Sequence, residues 1–189
     1  MPAQPGTGRY EAFVATFIGV LALGVSAYTA YVQRQQVRAQ VWPILQYSTS
    51  NEPALRLSLA NKGVGPALIR DVVVSVDGQP LPLWRDVLRR LLGPAPHHYS
   101  QSTVSNIVLA AGEGRDILEP RDAQGGGLRP GSPGSEGDLF DRARGRVAVE
   151  ICYCSTLGDC WTLRAGGSQP DSTVETRRCP SPSERTFRE

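Results

Sequence analysis

The chain has 189 residues, 20 basic and 18 acidic side chains, a formal net charge of +2 and 40% hydrophobic residues. So small a charge, with no dense Lys/Arg run, builds no phosphate-binding surface, and nucleic acid is not expected as a partner. Beyond an N-terminal apolar stretch, roughly 150 residues remain, enough for one domain with its own core and too few for two.

Residues 1–12, with Pro2, Pro5, Gly6 and Gly8, read as an N-terminal tail, disordered at least over Met1 to Gly8. Phe13 to Val32, FVATFIGVLALGVSAYTAYV, then runs without a charge between Glu11 and Arg34. At 1.5 Å of rise per residue, about twenty residues cover about 30 Å, the hydrocarbon thickness of a bilayer. Tyr10, Tyr28 and Tyr31 sit where an interfacial aromatic belt belongs, so residues 13–32 are expected to be a transmembrane helix inserted in the lipid bilayer. The competing reading is a cleaved signal sequence processed at Val25-Ser26-Ala27. Only Arg9 supplies its basic region, however, and the apolar run continues past Ala27. Ala22, Ser26 and Ala30 recur every fourth residue, a spacing that permits close helix contact in lipid and a homo-oligomer. Gln33 to Gln40 is rich in helix formers, which predicts a helical stalk over 33–42 that Pro43 ends.

The domain is expected over residues 43–177. Leu55, Leu57 and Leu59 alternate with Arg56, Ser58 and Ala60, the period-two pattern of a strand with one buried face. Asn61-Lys62-Gly63-Val64-Gly65-Pro66-Ala67 reads as a turn. No Gly-Lys-Ser/Thr follows it, so it is not a phosphate loop. The β-branched run Leu68 to Val76 ends at Asp77-Gly78, a two-residue hairpin signal.

The string Leu59 to Ala67, followed by Ile69 to Asp77-Gly78, resembles a strand–turn–strand unit of uncharacterised bacterial single-pass membrane proteins that carry a small immunoglobulin-like β-sandwich. The stalk Gln33 to Pro43, and Cys152-Tyr153-Cys154 with Cys160-Trp161, also resemble that group. The resemblance implies a mainly β fold, an N-terminal transmembrane helix followed by an immunoglobulin-like antiparallel β-sandwich with one short helix. It carries over no catalytic residue.

Leu83 to Leu92 is the expected helix, with Leu83, Val87, Leu88, Leu91 and Leu92 on one face and Arg85, Asp86, Arg89 and Arg90 on the other. His97 and His98, the only histidines, lie in a Pro-rich loop and read as polar loop residues rather than metal ligands. Ser102 to Leu109 and Arg115 to Leu118 are expected strands. Residues 120–138, with three consecutive glycines and two Pro-Gly pairs, read as a flexible insertion too poor in apolar residues to order itself. Residues 178–189 read as a disordered C-terminal tail.

Arg146 to Ala165 is the most informative soluble stretch. With Ser155 to Asp159 as a hairpin loop, Cys154 falls opposite Cys160, Tyr153 opposite Trp161, Cys152 opposite Thr162, Ile151 opposite Leu163 and Glu150 opposite Arg164. That register sends Val149, Ile151, Tyr153, Trp161 and Leu163 to the core and makes an ion pair on the outer face. Four cysteines can form two bridges, bind a metal or stay reduced. The Cys-x-Cys spacing is not that of thioredoxin-like or zinc-knuckle sites, so the expectation is Cys154–Cys160 with Cys152–Cys179, no metal and no cofactor. Such bridges require an oxidising compartment, whereas Arg34 and Arg38 beyond the helix point to the cytoplasm. The hairpin argument favours the oxidising side, which for the bacterial group the chain resembles implies an inner-membrane protein with a periplasmic domain. Without a nucleophile elbow or zinc-protease motif, the expected class is a non-catalytic interaction or accessory module with a protein partner. The alternative is a cysteine-based metal-binding or thiol redox protein at the membrane.

Overall fold

The computed structural model describes residues 7–181, 183 and 185–188. The expected tail over residues 1–6 lies outside the described residues; the rest of it, from Thr7 on, is already helix. Helix α1 runs over Thr7–Gln40 and is long and apolar enough to cross a membrane. Within its apolar run the Ser and Thr hydroxyls bond to the helix backbone: Thr16, Ser26 and Thr29 each donate to the carbonyl four residues back, all at 2.8 Å, so they present no unpaired hydroxyl to an apolar solvent.

Residues 41–189 form a second compact unit. It contains β1 (Leu45–Ser50), β2 (Arg56–Asn61), β3 (Ala67–Val76), β4 (Gln79–Leu81), α2 (Trp84–Leu92), β5 (His98–Ser100), β6 (Val108–Leu109), β7 (Gly114–Arg121), α3 (Glu136–Ala143), β8 (Val147–Cys154), β9 (Cys160–Gly166) and β10 (Ser172–Thr176). Two antiparallel sheets result. One has the order β1-β2-β7-β5, the other β10-β9-β8-β3-β4, with β6 also paired to β3. Leu57, Leu59 and Leu118 of the first sheet and Val72, Val74, Val149, Ile151 and Tyr153 of the second are buried in a single core. At the end of β3, Asp77 and Gly78 both have positive φ, 52° and 77°, as the tight two-residue turn into β4 requires.

The turn after β2 is a clasp rather than a plain reversal. Asn61 is fully buried, and its Oδ1 accepts from the backbone N–H groups of Ile44 (3.2 Å) and Gly63 (3.0 Å). Its Nδ2 donates to the carbonyls of Gly65 (2.8 Å) and Leu109 (3.1 Å), which uses the full hydrogen-bonding capacity of the amide. Lys62 and Val64 add backbone bonds to the carbonyls of Ile44 (2.7 Å) and Trp42 (3.0 Å). A Cβ at Gly63 would overlap the Trp42 and Ile44 backbone, and one at Gly65 the Val41 backbone. The stalk expected to stay helical through 42 therefore ends at Gln40, because Val41 to Ile44 are held by this turn.

Three further expectations are corrected. Only Val108–Leu109 of the strand expected over Ser102 to Leu109 pairs with a neighbour. The 120–138 segment, expected to lack order, is tied to the sheet: Leu55 N–H donates to Leu128 O (2.7 Å), Leu128 N–H donates to Pro120 O (2.9 Å), and Leu128 packs on the core. Within its last residues α3, a second short helix of the domain, begins after the N-cap Ser135, whose hydroxyl accepts from Asp138 N–H, and it buries Phe140.

The described residues of the tail assigned to 178–189 form a strap instead. After β10, Cys179 bonds to Cys152 on β8. Thr186 donates to Asp71 on β3 (2.8 Å), and Phe187 N–H donates to Val72 O (2.7 Å). The strap thus crosses the outer face of the larger sheet. It reaches the β3 edge between the short stretches paired to β6 and β4. There Phe187 is 1% exposed and meets the Trp84 ring edge-on at a centroid distance of 4.9 Å.

Phe187→Ala is expected to cost about 3–5 kcal/mol, as for other buried aromatic truncations, measured by chemical denaturation of the domain; a cost within ±0.5 kcal/mol means the strap does not complete the core. Tyr47 offers the opposite case. Its hydroxyl is buried without a hydrogen-bond partner among the described residues, and burial lifts its pKa far above the usual phenol range. The folded chain therefore keeps the phenol neutral where the unfolded chain ionises it. That contribution to stability is complete below about pH 10 and is lost as pH rises above it. Tyr47→Phe is expected to leave stability at pH 7 unchanged or higher and to reduce the loss above pH 10 in alkaline denaturation curves.

Candidate functional site

The site begins with the β8–β9 hairpin. Its register pairs Cys154 with Cys160, Tyr153 with Trp161, Cys152 with Thr162, Ile151 with Leu163 and Glu150 with Arg164, as the alternation predicts. Tyr153 and Ile151 are buried inward, Trp161 packs beside them and stacks on Trp42 at 6.3 Å, and Arg164 Nε lies 3.1 Å from Glu150 outside. The loop is closed by Ser155 N–H to Asp159 O (2.7 Å), and Gly158 supplies a positive φ of 85° that other residues rarely adopt.

Period two places Cys152 and Cys154 side by side on the outer face of β8, beneath the strap. The structure brings all four sequence-selected cysteines together at disulfide distance. Cys152–Cys179 has an S–S separation of 2.12 Å and Cys154–Cys160 one of 2.04 Å. The two bridges touch, with Cys154 Sγ 3.7 Å from Cys179 Sγ. The sulfurs of Cys154, Cys160 and Cys179 all lie within 4.8 Å of one another. A thiolate trio of that size suits a soft metal ion, but only after reduction, since bridged sulfurs are not thiolates.

Cys154, Cys160 and Cys179 line a cleft of about 500 Å³ together with Arg70, Arg177 and Arg178. Arg70 owes its place to a β-bulge. The β3–β8 register passes from Ile69 opposite Tyr153 to Asp71 opposite Cys152 and leaves Arg70 unpaired between them, so the alternation shifts by one residue there. Arg70, Arg177 and Arg178 make no ion pair among the described residues. Sequence reasoning missed all three; the readable signal was the Arg70-Asp71 pair that interrupts an otherwise β-branched strand.

Two other polar clusters are closed on themselves. A hollow of about 350 Å³ on the same sheet face is lined by Ser75, Asp77, Arg146, Glu150, Arg164 and Arg185. Its acids are both taken: Glu150 pairs with Arg164, and Arg146 donates Nε to Asp77 at 2.9 Å, holding that carboxyl below its ordinary range. His97 is also engaged at both nitrogens, Nδ1 2.7 Å from Glu136 and Nε2 3.1 Å from Gly93 O, and so links the end of α2 to the start of α3. His98 lies on β5.

The bridges close loops of different length, with partners 6 and 27 residues apart. Loop-closure entropy then assigns about 2 kcal/mol to Cys154–Cys160 and about 3.5 kcal/mol to Cys152–Cys179. Cys179→Ser is accordingly expected to lower the midpoint of thermal unfolding more than Cys160→Ser, and the reverse order in differential scanning calorimetry contradicts the assignment.

Compared with known proteins, the chain matches no family model, no curated protein and no solved structure, and the geometry of this cleft and of α1 carries the functional reading.

Proposed function

We propose that the chain is a membrane-anchored, non-catalytic interaction or accessory module that holds an immunoglobulin-like β-sandwich on the periplasmic side of a bacterial inner membrane. The observation that carries the anchor is the exposure of α1. Phe13, Leu23 and Val25 are 72%, 76% and 66% exposed, and Phe17, Ile18 and Leu21 are also uncovered. Apolar surface left in water costs about 25 cal/mol per Å², and a bilayer removes that cost along the whole segment. A second copy packed along Ala22, Ser26 and Ala30 is compatible with the same environment.

Strand order supports the immunoglobulin-like reading. Read across each sheet, β1-β2-β7-β5 against β9-β8-β3-β4 follows the A-B-E-D and G-F-C-C′ arrangement of such sandwiches, with β10 added beyond G. Disulfides support the periplasmic side, because they persist in oxidising compartments. β1 and β10 end their sheets, and Val174 on β10 is exposed, so a protein partner can add a strand to the open β10 edge. The second reading, a thiol redox protein at the membrane, is favoured by the contact between sulfurs of separate bridges.

The anchor is tested by fractionation. The chain is expected to stay with membranes through high salt and carbonate, and a soluble product starting near Tyr28 overturns the anchor. Membrane-impermeant thiol alkylation of intact cells, with and without a reductant, tests the side. Labelling only after reduction is expected, and four cysteines that resist the impermeant reagent even then, yet react without reductant once cells are opened, place the domain in the cytoplasm.

A further inference from the structure

We propose that the cleft is a thiol–disulfide exchange site in which Cys154 relays reducing equivalents from Cys160 to the Cys152–Cys179 bridge, drawing them from a dithiol donor that carries negative charge. The inference rests on the thiol redox reading. Three observations carry it. First, Cys154 Sγ and Cys179 Sγ are 3.7 Å apart, in van der Waals contact, so a thiolate formed on Cys154 needs no diffusion to reach the second bridge and acts at a high effective molarity. Second, Cys154, Cys160 and Cys179 line the cleft whereas Cys152 does not. Cys152 and Cys160 are both buried, 3% and 6% exposed, and it is the cleft, which Cys160 lines and Cys152 does not, that gives a donor its approach. Third, Arg70, Arg177 and Arg178 line the same cleft as the three sulfurs. Cationic neighbours raise the thiolate fraction of a cysteine and draw in anionic reactants.

The exchange proceeds in three displacements. The donor thiolate attacks Cys160 Sγ; the Cys154–Cys160 bond breaks and its electron pair leaves on Cys154. The Cys154 thiolate attacks Cys179 Sγ; the Cys152–Cys179 bond breaks, and Cys152 takes the electron pair and a proton from water. The donor's second thiolate then attacks the donor sulfur bound to Cys160, closing the donor disulfide and freeing Cys160, which is protonated. The donor loses two electrons and two protons. The domain gains them as thiols on Cys152 and Cys160 and keeps one bridge, Cys154–Cys179. Throughout, the strap stays covalently tied to β8, its attachment moving by two residues along the strand.

The experiment treats the full chain, with its bridges formed, with one equivalent of dihydrolipoate, an anionic dithiol. Acid quenching, alkylation and peptide mass mapping then locate the thiols. The expected two-electron product is alkylated at Cys152 and Cys160 and contains a Cys154–Cys179 bridge. Alkylation at Cys154 and Cys160 with Cys152–Cys179 intact overturns the relay while leaving the thiol reading in place; no reduction by dihydrolipoate overturns both. Cys160→Ser gives an independent check, because its lone Cys154 thiol is expected to yield both Cys152–Cys179 and Cys154–Cys179 bridges, and finding only the former contradicts the relay. Replacing Arg70, Arg177 and Arg178 by Ala is expected to slow reduction by dihydrolipoate about 10-fold relative to neutral dithiothreitol. An unchanged ratio removes the anionic donor from the proposal.

Discussion

The domain depends on one buried amide. Asn61 joins four backbone groups, from Ile44, Gly63, Gly65 and Leu109, that belong to the lead into β1, the turn after β2 and β6. The bonds to the Gly65 and Leu109 carbonyls are buried and those from the Ile44 and Gly63 N–H groups partly so, and a buried donor or acceptor left unpaired costs about 1–3 kcal/mol. An apolar residue here would orphan all four, and a smaller polar one would not reach them. The glycines at 63 and 65 follow from the same constraint, since the amide holds the turn so close to residues 41–44 that side chains there have no room. Val41 to Ile44 are therefore held within the two-sheet domain by this turn.

From that fixed corner β3 runs alongside β8 in the larger sheet, and its bulge serves two purposes at once. Shifting the alternation by one residue directs both Arg70 and Asp71 away from the core. Asp71 receives the Thr186 hydroxyl of the strap, while Arg70 lines the cleft over the sulfurs. A regular strand would have sent one of these charged side chains inward, where an unpaired charge is costly. The bulge thus links the anchoring of the strap to the electrostatics of the cysteine cleft.

What was legible in the sequence follows from how local the information is. The β8–β9 register could be read because Ile151 and Tyr153, Trp161 and Leu163, and the Glu150–Arg164 pair all select the same alignment within twenty residues. The turn at Asp77-Gly78 and helix α2 were legible for the same reason. Phe187 was not. It is one aromatic among Arg, Ser and Pro, and its partners Val72 and Trp84 lie more than a hundred positions away, so no periodicity announces it. Segment 120–138 misled because glycine and proline signal loops correctly but do not say whether a loop has a hydrogen-bonded anchor such as Leu128. The cleft was half legible: its cysteines were, but its arginines depend on a bulge and on the path of the strap.

The strap's two attachments differ in kind, and polymer physics separates them. Phe187 is eleven residues beyond the end of β10 at Thr176 and eight beyond Cys179. A flexible tether's closure cost grows as (3/2)RT ln n, so replacing the shorter leash by the longer one costs only about 0.3 kcal/mol. Seating the aromatic ring is therefore nearly indifferent to whether Cys179 is bridged to Cys152, bridged to Cys154 or free. The sulfur chemistry and the hydrophobic plug occupy the same twelve residues of chain, yet electron transfer at one need not dislodge the other.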